Sequence, residues 1–113
     1  MKSKIIALSK NEEFKTLLKK KKISNKYVTI FFGNLQNKNH KKLNISFVTK
    51  KKIGNAVKRN KIKRRLRNIM NDATKKITLK LNYSYLVIAK PTMLNSEFNI
   101  IKETLFREFE RIR

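Results

Sequence analysis

The eighteen residues from Lys50 to Arg67, KKKIGNAVKRNKIKRRLR, hold ten cations and no acid. Gly54 punctuates the run, and Asn55 has the position of an N-cap, a residue whose side-chain oxygen accepts a backbone N–H from the first helical turn. From Ala56 onward Ile62, Leu66, Ile69 and Ala73 recur in steps of four, three and four, the spacing of one stripe on an α-helix. Asn60, Arg64, Arg67 and Asn71 fall on roughly the opposite side, with Lys61 and Lys63 on the flanks. One face is committed to a core and the other is a row of cations. A helix that needed only solubility would intersperse Glu four residues from its Lys. This one has none, and its positive side chains crowd the N-terminal half, where the helix dipole disfavours them. A polyphosphate partner would offset that cost.

The flanking elements follow from the same kind of reading. Ser9-Lys10-Asn11-Glu12 has the form of a capping box, and Phe14, Leu17 and Leu18 follow at helical spacing, which predicts a first helix from about Lys10 to Lys21. The Lys19–Lys22 run stops its apolar pattern. Tyr27 to Phe32 (YVTIFF) is β-branched and aromatic, a strand with both faces at least partly covered. Gly33 to Lys42 is a polar, hairpin-like connection. Leu43 to Thr49 alternates, with Leu43, Ile45 and Phe47 on one face and Asn44 and Ser46 on the other; it reads as a half-buried strand paired antiparallel with the first. Tyr83 to Ala89 (YSYLVIA) is a third strand, ended by Lys90-Pro91. Ser96 stands as cap of a last helix with the stripe Phe98, Ile101, Leu105, Phe109 and Ile112. The order α-β-β-α-β-α predicts an α+β fold built as a two-layer α/β sandwich. With no repeat and no linker, residues 1–113 are expected to form a single domain.

The chain of 113 residues carries 30 Lys plus Arg against 7 Asp plus Glu, a formal net charge of +23. Arg is the sharper witness of the two cations, because its planar fork grips phosphate oxygens in two places. Four of the seven Arg (Arg59, Arg64, Arg65 and Arg67) lie within nine residues, and Arg107, Arg111 and Arg113 sit near the C-terminus, where the dipole suits them as solvated side chains. Between Glu13 and Asp72 there is no acid, while residues 14–71 carry 19 cations. A merely solvated surface mixes both signs, so this span reads as a binding field for nucleic acid.

Several classes are excluded. There is no Cys, hence no disulfide scaffold, thiolate metal site or Cys nucleophile. No apolar run approaches the roughly 18 residues of a transmembrane helix, and Ile5-Ile6-Ala7-Leu8 is too short for a signal-peptide core; a cytoplasmic protein with no membrane partner is expected. A protein nuclease needs paired carboxylates around metal or an oriented His. The acids Glu12, Glu13, Asp72, Glu97, Glu103, Glu108 and Glu110 sit mostly at helix ends or in the last helix, His40 lies in a loop of Asn and Lys, and only Gly33 and Gly54 are available for a phosphate-cradling loop. Catalytic residues and protein-bound metal are therefore expected to be absent.

Gly54-Asn55-Ala56-Val57 followed by Arg59-Asn60-Lys61-Ile62-Lys63-Arg64 closely resembles the signature of the bacterial ribonuclease P protein subunit. The flanking order fits as well: an opening helix with Lys10, Asn11 and Phe14, two strands, the basic helix, and a strand closing with Ala89-Lys90-Pro91. The resemblance implies a protein that binds a large catalytic RNA, the holoenzyme cutting the 5′ leader from precursor tRNA while the RNA supplies the active site and its magnesium. It implies an RNA-binding set of Lys51, Lys52, Asn55, Arg59, Asn60, Lys61, Lys63, Arg64, Arg65 and Arg67. It also implies a leader cleft between sheet and first helix at Lys10, Asn11, Phe14, Leu18 and Ile30, and a left-handed crossover for the basic helix, against the right-handed default. Three positions depart from the pattern: Lys61 replaces the second Arg of Arg-Asn-Arg, and Leu18 and Ile30 stand where aromatics are usual. Phe14 also reads as core on spacing alone. A structural ribosomal or other general RNA-binding protein is the alternative reading.

Overall fold

The computed structural model describes residues 5–8, 11–35 and 41–112. Its longest element grows from the stretch quoted first. Helix α2, Ala56–Lys76, starts at Asn55, whose backbone is extended and whose Oδ1 accepts the Lys58 N–H at 3.0 Å, which satisfies one of the donors a helix start leaves open. Just upstream a 3₁₀ turn, Lys51–Ile53, closes on Gly54, whose N–H donates to the Lys51 carbonyl. Gly54 has φ 150° and a Cβ there would stand 2.8 Å from Lys58 Cδ, so glycine is required by backbone conformation first and by space second. The stripe Ile62, Leu66, Ile69 and Ala73 is buried as its spacing predicts, with Met70 added.

That stripe lies on a five-stranded sheet of β1 (Ile5–Ile6), β2 (Lys21–Ser24), β3 (Val28–Gly33), β4 (Leu43–Val48) and β5 (Ser84–Ala89). The spatial order is β1-β4-β5-β3-β2. Strands β4 and β5 are parallel and joined through α2, the crossover that a parallel pair needs. Helix α3, Phe98–Arg111, joins α2 on the same sheet face, burying Ile101, Leu105 and Phe109, with Ile112 just beyond. The main core lies between these helices and Val28, Ile30, Phe32, Leu43, Ile45, Tyr85, Val87 and Ala89. Tyr85 stacks edge-on to Phe109 at 5.3 Å and donates its hydroxyl to the Lys80 carbonyl. Burial, then the neighbouring Tyr83, pushes its ionisation far up, so it stays a neutral donor. The short helix α1, Asn11–Leu17, covers part of the opposite face, where Leu8, Leu17 and Leu86 form a second cluster flanked by Phe14, Phe31, Val48 and Ile88.

The α+β class holds, and the connectivity differs from the expected one in particular places. The strands read as an antiparallel pair, β3 and β4, are not neighbours: β5 lies between them, antiparallel to β3 and parallel to β4. The continuous apolar run of β5, covered on both faces, is what a central strand needs. The order gains two strands. β1 is two residues long and β2 is a Lys-rich edge strand, both too weakly patterned to read. Helix α1 ends at Leu17 rather than Lys21, its last turn tightening through Lys19 N–H to Thr16 and Lys20 N–H to Leu17 so that the chain can enter β2. The capping-box residues Ser9 and Lys10 lie outside the described residues. Asn44 and Ser46, expected to face solvent, are 2% and 9% exposed, because the N-terminal segment crosses that face and Leu8 donates its N–H to Ser46 Oγ at 2.8 Å. Ser96 does not cap α3: Glu97 holds the cap position without a side-chain bond, and Ser96 Oγ donates back to the Thr92 carbonyl.

Two further ties hold the frame. Lys90 Nζ donates to Ser24 Oγ at 2.8 Å and to the Asn25 carbonyl at 2.5 Å, while Thr92 Oγ1 donates to the Lys26 carbonyl. The Ala89-Lys90-Pro91 motif thus clasps the end of β5 to the β2–β3 turn. Asp72 on α2 receives Lys102 of α3 and, at 3.3 Å, Lys76. The Lys102 hydrogen bond, aided by Lys76 and opposed by partial desolvation, holds the Asp72 carboxyl below the ordinary carboxylate range.

Gly54→Ala is expected to destabilise the fold by about 1–3 kcal/mol, the range for a side chain forced into a sparsely populated backbone region; urea unfolding checks this. Because the folded pKa of Asp72 is depressed, its stabilisation is complete above the unfolded value of about 4 and is lost as pH falls through the lower folded value. The difference in melting temperature between the wild type and Asp72→Asn is therefore expected to be flat near neutral pH and to shrink on acidification below about pH 4; a thermal series across that range measures it.

Candidate nucleic-acid interface

Packing sorts the candidate RNA-binding residues into two groups. Asn60, Lys61, Arg64 and Arg67 are exposed, as are Lys51, Lys52 and Asn55 at the entry to the helix. Arg59, Lys63 and Arg65 are partly buried on its flanks. From Arg59 to Arg67 the row spans about 12 Å at 1.5 Å per residue. The first turn holds no acid, and the acid that α2 does carry, Asp72, is occupied by Lys76 and Lys102. The helix's positive end therefore carries an uncompensated field. Arg59 Nε is buried with no hydrogen-bond partner among the described residues, an unusual state for a buried donor.

Lys63 and Arg67 also line a groove of about 440 Å³ at the β4 margin of the sheet, between α1 and α2. Its other walls are Phe14 of α1, Ile5 and Ala7 of the N-terminal segment, and Ile45 to Val48 of β4. The helix row and the groove, separate surfaces on the sequence reading, thus share an edge. Beyond the groove, strand register aligns two rows on the α1 face of the sheet, the first of them covered at Leu86 by Leu8 and Leu17. Ser46, Leu86, Phe31 and Lys22 are aligned across β4, β5, β3 and β2, and Val48, Ile88, Thr29 and Ser24 form the next row. Phe31, Ile88, Thr29 and Val48 are all partly exposed on this face.

The expected cleft residues separate. Phe14 is partly buried, packing on the Leu8–Leu17–Leu86 cluster while it lines the groove, so its core and surface readings are both met. Asn11 is exposed at the start of α1, and Leu18 is 49% exposed. Lys10 lies outside the described residues. Ile30 is a correction: it is fully buried in the main core, opposite Val87 on the α2–α3 side of the sheet. Alternation puts its neighbour Phe31 on the cleft face instead. The signal was parity along β3: Val28, Ile30 and Phe32 share one face, and Thr29 and Phe31 share the other.

Away from the groove, Arg107 and Arg111 are exposed, and Arg111 lies 3.7 Å from Glu108; Arg113 and His40 lie outside the described residues. No group of three His, Cys, Asp or Glu comes together among the described residues. Among them, no helix is long and apolar enough to cross a membrane.

Comparison with known proteins agrees with the motif. The sequence profile of the family described as Ribonuclease P matches residues 3–113. A protein named Ribonuclease P protein component from Carboxydothermus hydrogenoformans is 34% identical over 102 residues, covering 87% of this chain and 83% of that one. The protein of the same name from Acholeplasma laidlawii is 36% identical over 97 residues, covering 86% and 79%. Among solved structures, the Staphylococcus aureus RNase P protein superposes with a TM-score of 0.77 at 26% identity over 94% of this chain and 93% of that one. The RNase P protein from Thermotoga maritima shares the fold with a TM-score of 0.79 at 24% identity over 96% and 98%. With the profile spanning nearly every residue, and with relatives above 30% identity aligned over most of both chains, this chain belongs to the ribonuclease P protein component family.

Proposed function

We propose that α2 docks on the catalytic RNA of ribonuclease P while the adjoining groove receives the single-stranded 5′ leader of precursor tRNA. The family is the protein part of the enzyme that matures tRNA 5′ ends, which favours this reading over a ribosomal or general RNA-binding role. The observation that carries the proposal is the shared edge, with Lys63 and Arg67 belonging both to the basic helix and to the groove. Cations placed there sit between two polyanions and lower their mutual repulsion, work that otherwise falls to magnesium. Arg64 and Arg67 offer planar forks to phosphate oxygens, Lys61 a point charge, and Asn60 a neutral donor and acceptor. Arg59, half-buried with an unpartnered Nε, is the member of the row with a donor already stripped of water.

Hydrolysis stays with the RNA subunit and its magnesium. The protein's contribution is positioning and charge. Leader bases would lie on Phe14 and Phe31, where base–aromatic stacking is worth about 1–3 kcal/mol per base. With Leu18 in place of a second helix aromatic, the sheet supplies the other ring. The protein works in the cytoplasm, with the ribozyme and precursor tRNA as partners and no membrane.

Reconstitution with a bacterial ribonuclease P RNA is expected to raise precursor cleavage at low magnesium over RNA alone, and no gain would reject the proposal. In the same system Arg64→Ala should weaken affinity for the catalytic RNA by about 1.5–3 kcal/mol, the range for hydrogen bonds to charged groups. For the groove, Phe31→Leu is the informative variant: it keeps an apolar side chain against α1 and removes the ring. Binding of leader-bearing precursor is expected to drop while leaderless tRNA is unaffected; equal losses on both would return Phe31 to a packing role.

A further inference from the structure

Two cross-strand rows on the α1 face of the sheet start at Ser46 and Val48, which line the groove with Lys63 and Arg67, and both end on β2, the free edge of the sheet; the first is covered at Leu86 by Leu8 and Leu17, and the second, Val48, Ile88, Thr29 and Ser24, is the open one. At that edge stand Lys19, Lys20, Lys21 and Lys22, all exposed, and none makes an ion pair with a described residue. The four are not equivalent. Gly33 lacks a Cβ where the Lys20 stem lies against it, within 2.9 Å of where that carbon would be, and Lys20 shares a second groove with Glu12 and Glu13, so its charge is partly answered. Lys21 lies opposite Phe32 and alternates with Ile23, which places it toward the main-core face. Lys22 lies opposite Phe31 and alternates with Ser24, whose hydroxyl bonds Thr29 on the groove face. Lys22 therefore stands on the groove face next to Ser24, where the open row ends.

We propose that Lys22, backed by Lys19 at the end of α1, is a second phosphate anchor for the leader, at the sheet edge opposite the basic helix. The assignment rests on the leader reading of the groove given above and adds its path: the strand crosses the sheet from Lys63 and Arg67 over β4, β5 and β3 to β2. The span from β4 to β2 is three strand spacings, roughly 14 Å. Cations at both ends of an apolar floor containing an aromatic ring suit an unpaired strand, whose phosphates seek charge while its base faces are free to stack. The same lysines discourage sheet extension at the open edge, but that role would be served equally by a charge of either sign or on either face.

The test uses holoenzyme reconstituted with a bacterial ribonuclease P RNA and three substrates: precursor with a long leader, precursor trimmed to the few nucleotides next to the cut, and leaderless tRNA. Lys22→Gln is expected to weaken binding of the long-leader precursor severalfold and to reduce its salt slope by about 0.7, the loss of one single-strand phosphate contact. The other two substrates should be unchanged. Lys22→Arg should restore the wild-type profile, and Lys21→Gln should behave as wild type throughout. No loss, a loss shared by all three substrates, or an equal effect of Lys21→Gln would overturn the anchor. So would weaker affinity of Lys22→Gln for the ribozyme alone, which would assign Lys22 to the RNA subunit. If the wild type fails to distinguish long-leader precursor from leaderless tRNA, the leader reading fails and the anchor with it, an outcome separable from all the others because no variant is involved.

Discussion

Everything on the binding side depends on one burial event: the stripe Ile62, Leu66, Ile69, Met70 and Ala73 seated on the parallel pair β4–β5. Without it α2 would not hold together, because its outward face carries cations with no acid before Asp72, its first turn offers the dipole no acid, and like charges one turn apart repel. Apolar area supplies what electrostatics takes away. Asn55 starts the helix, Gly54 makes the bend before it possible, and the Asp72–Lys102 tie couples it to α3. The result is a row of guanidinium and ammonium groups whose spacing is set by a rigid backbone. For a partner with fixed phosphate positions, that spares part of the ordering cost that a flexible basic tail would incur on binding.

The sheet gives this helix a neighbour. One face is closed by α2 and α3, and the other is only partly closed by α1. The uncovered remainder adjoins the groove at the β4 margin, and because α2 packs over β4, its flank reaches that groove through Lys63 and Arg67. Two adjoining candidate surfaces follow from one packing decision. The Lys90 clasp matters here too: it pins the β2–β3 turn to the end of β5, so that Thr29 and Ser24 stay in register with Ile88 and Val48 across the open floor.

What could be read in the residues was what is local. The Asn55 cap, the stripe of α2 and the stripe of α3 are written within one helix each, and the structure reproduces them. The antiparallel pairing of β3 with β4 failed because a polar connection between two strands says nothing about a third strand, fifty residues on, taking the place between them. The continuous apolar character of YLVIA was the available hint that β5 is central. Ile30 was placed in the cleft by the family resemblance, and the strand could not correct it, because YVTIFF is apolar on both sides and its facing stays open until a partner fixes it. Asn44 and Ser46 mimicked a solvent face, since a polar side chain that serves a crossing segment looks in sequence like one that serves water. The basic helix as a candidate interface was legible from its missing acids; its junction with the groove was not, because it joins residues from α1, β1, β4 and α2.

Strand β5 has one more consequence, in time rather than space. It is the hub of the sheet, bridging β3 and β4, yet it occupies residues 84–89 of a chain made from the N-terminus. During synthesis the earlier strands wait without their shared partner, and only short-range structure can persist until the hub emerges. Pairings this distant in sequence are slow to form, and here they must close in a chain whose first seventy residues are almost all of one sign. The nascent protein is thus a polycation before it is a fold, and a cell rich in RNA offers it counterions from the moment it leaves the ribosome.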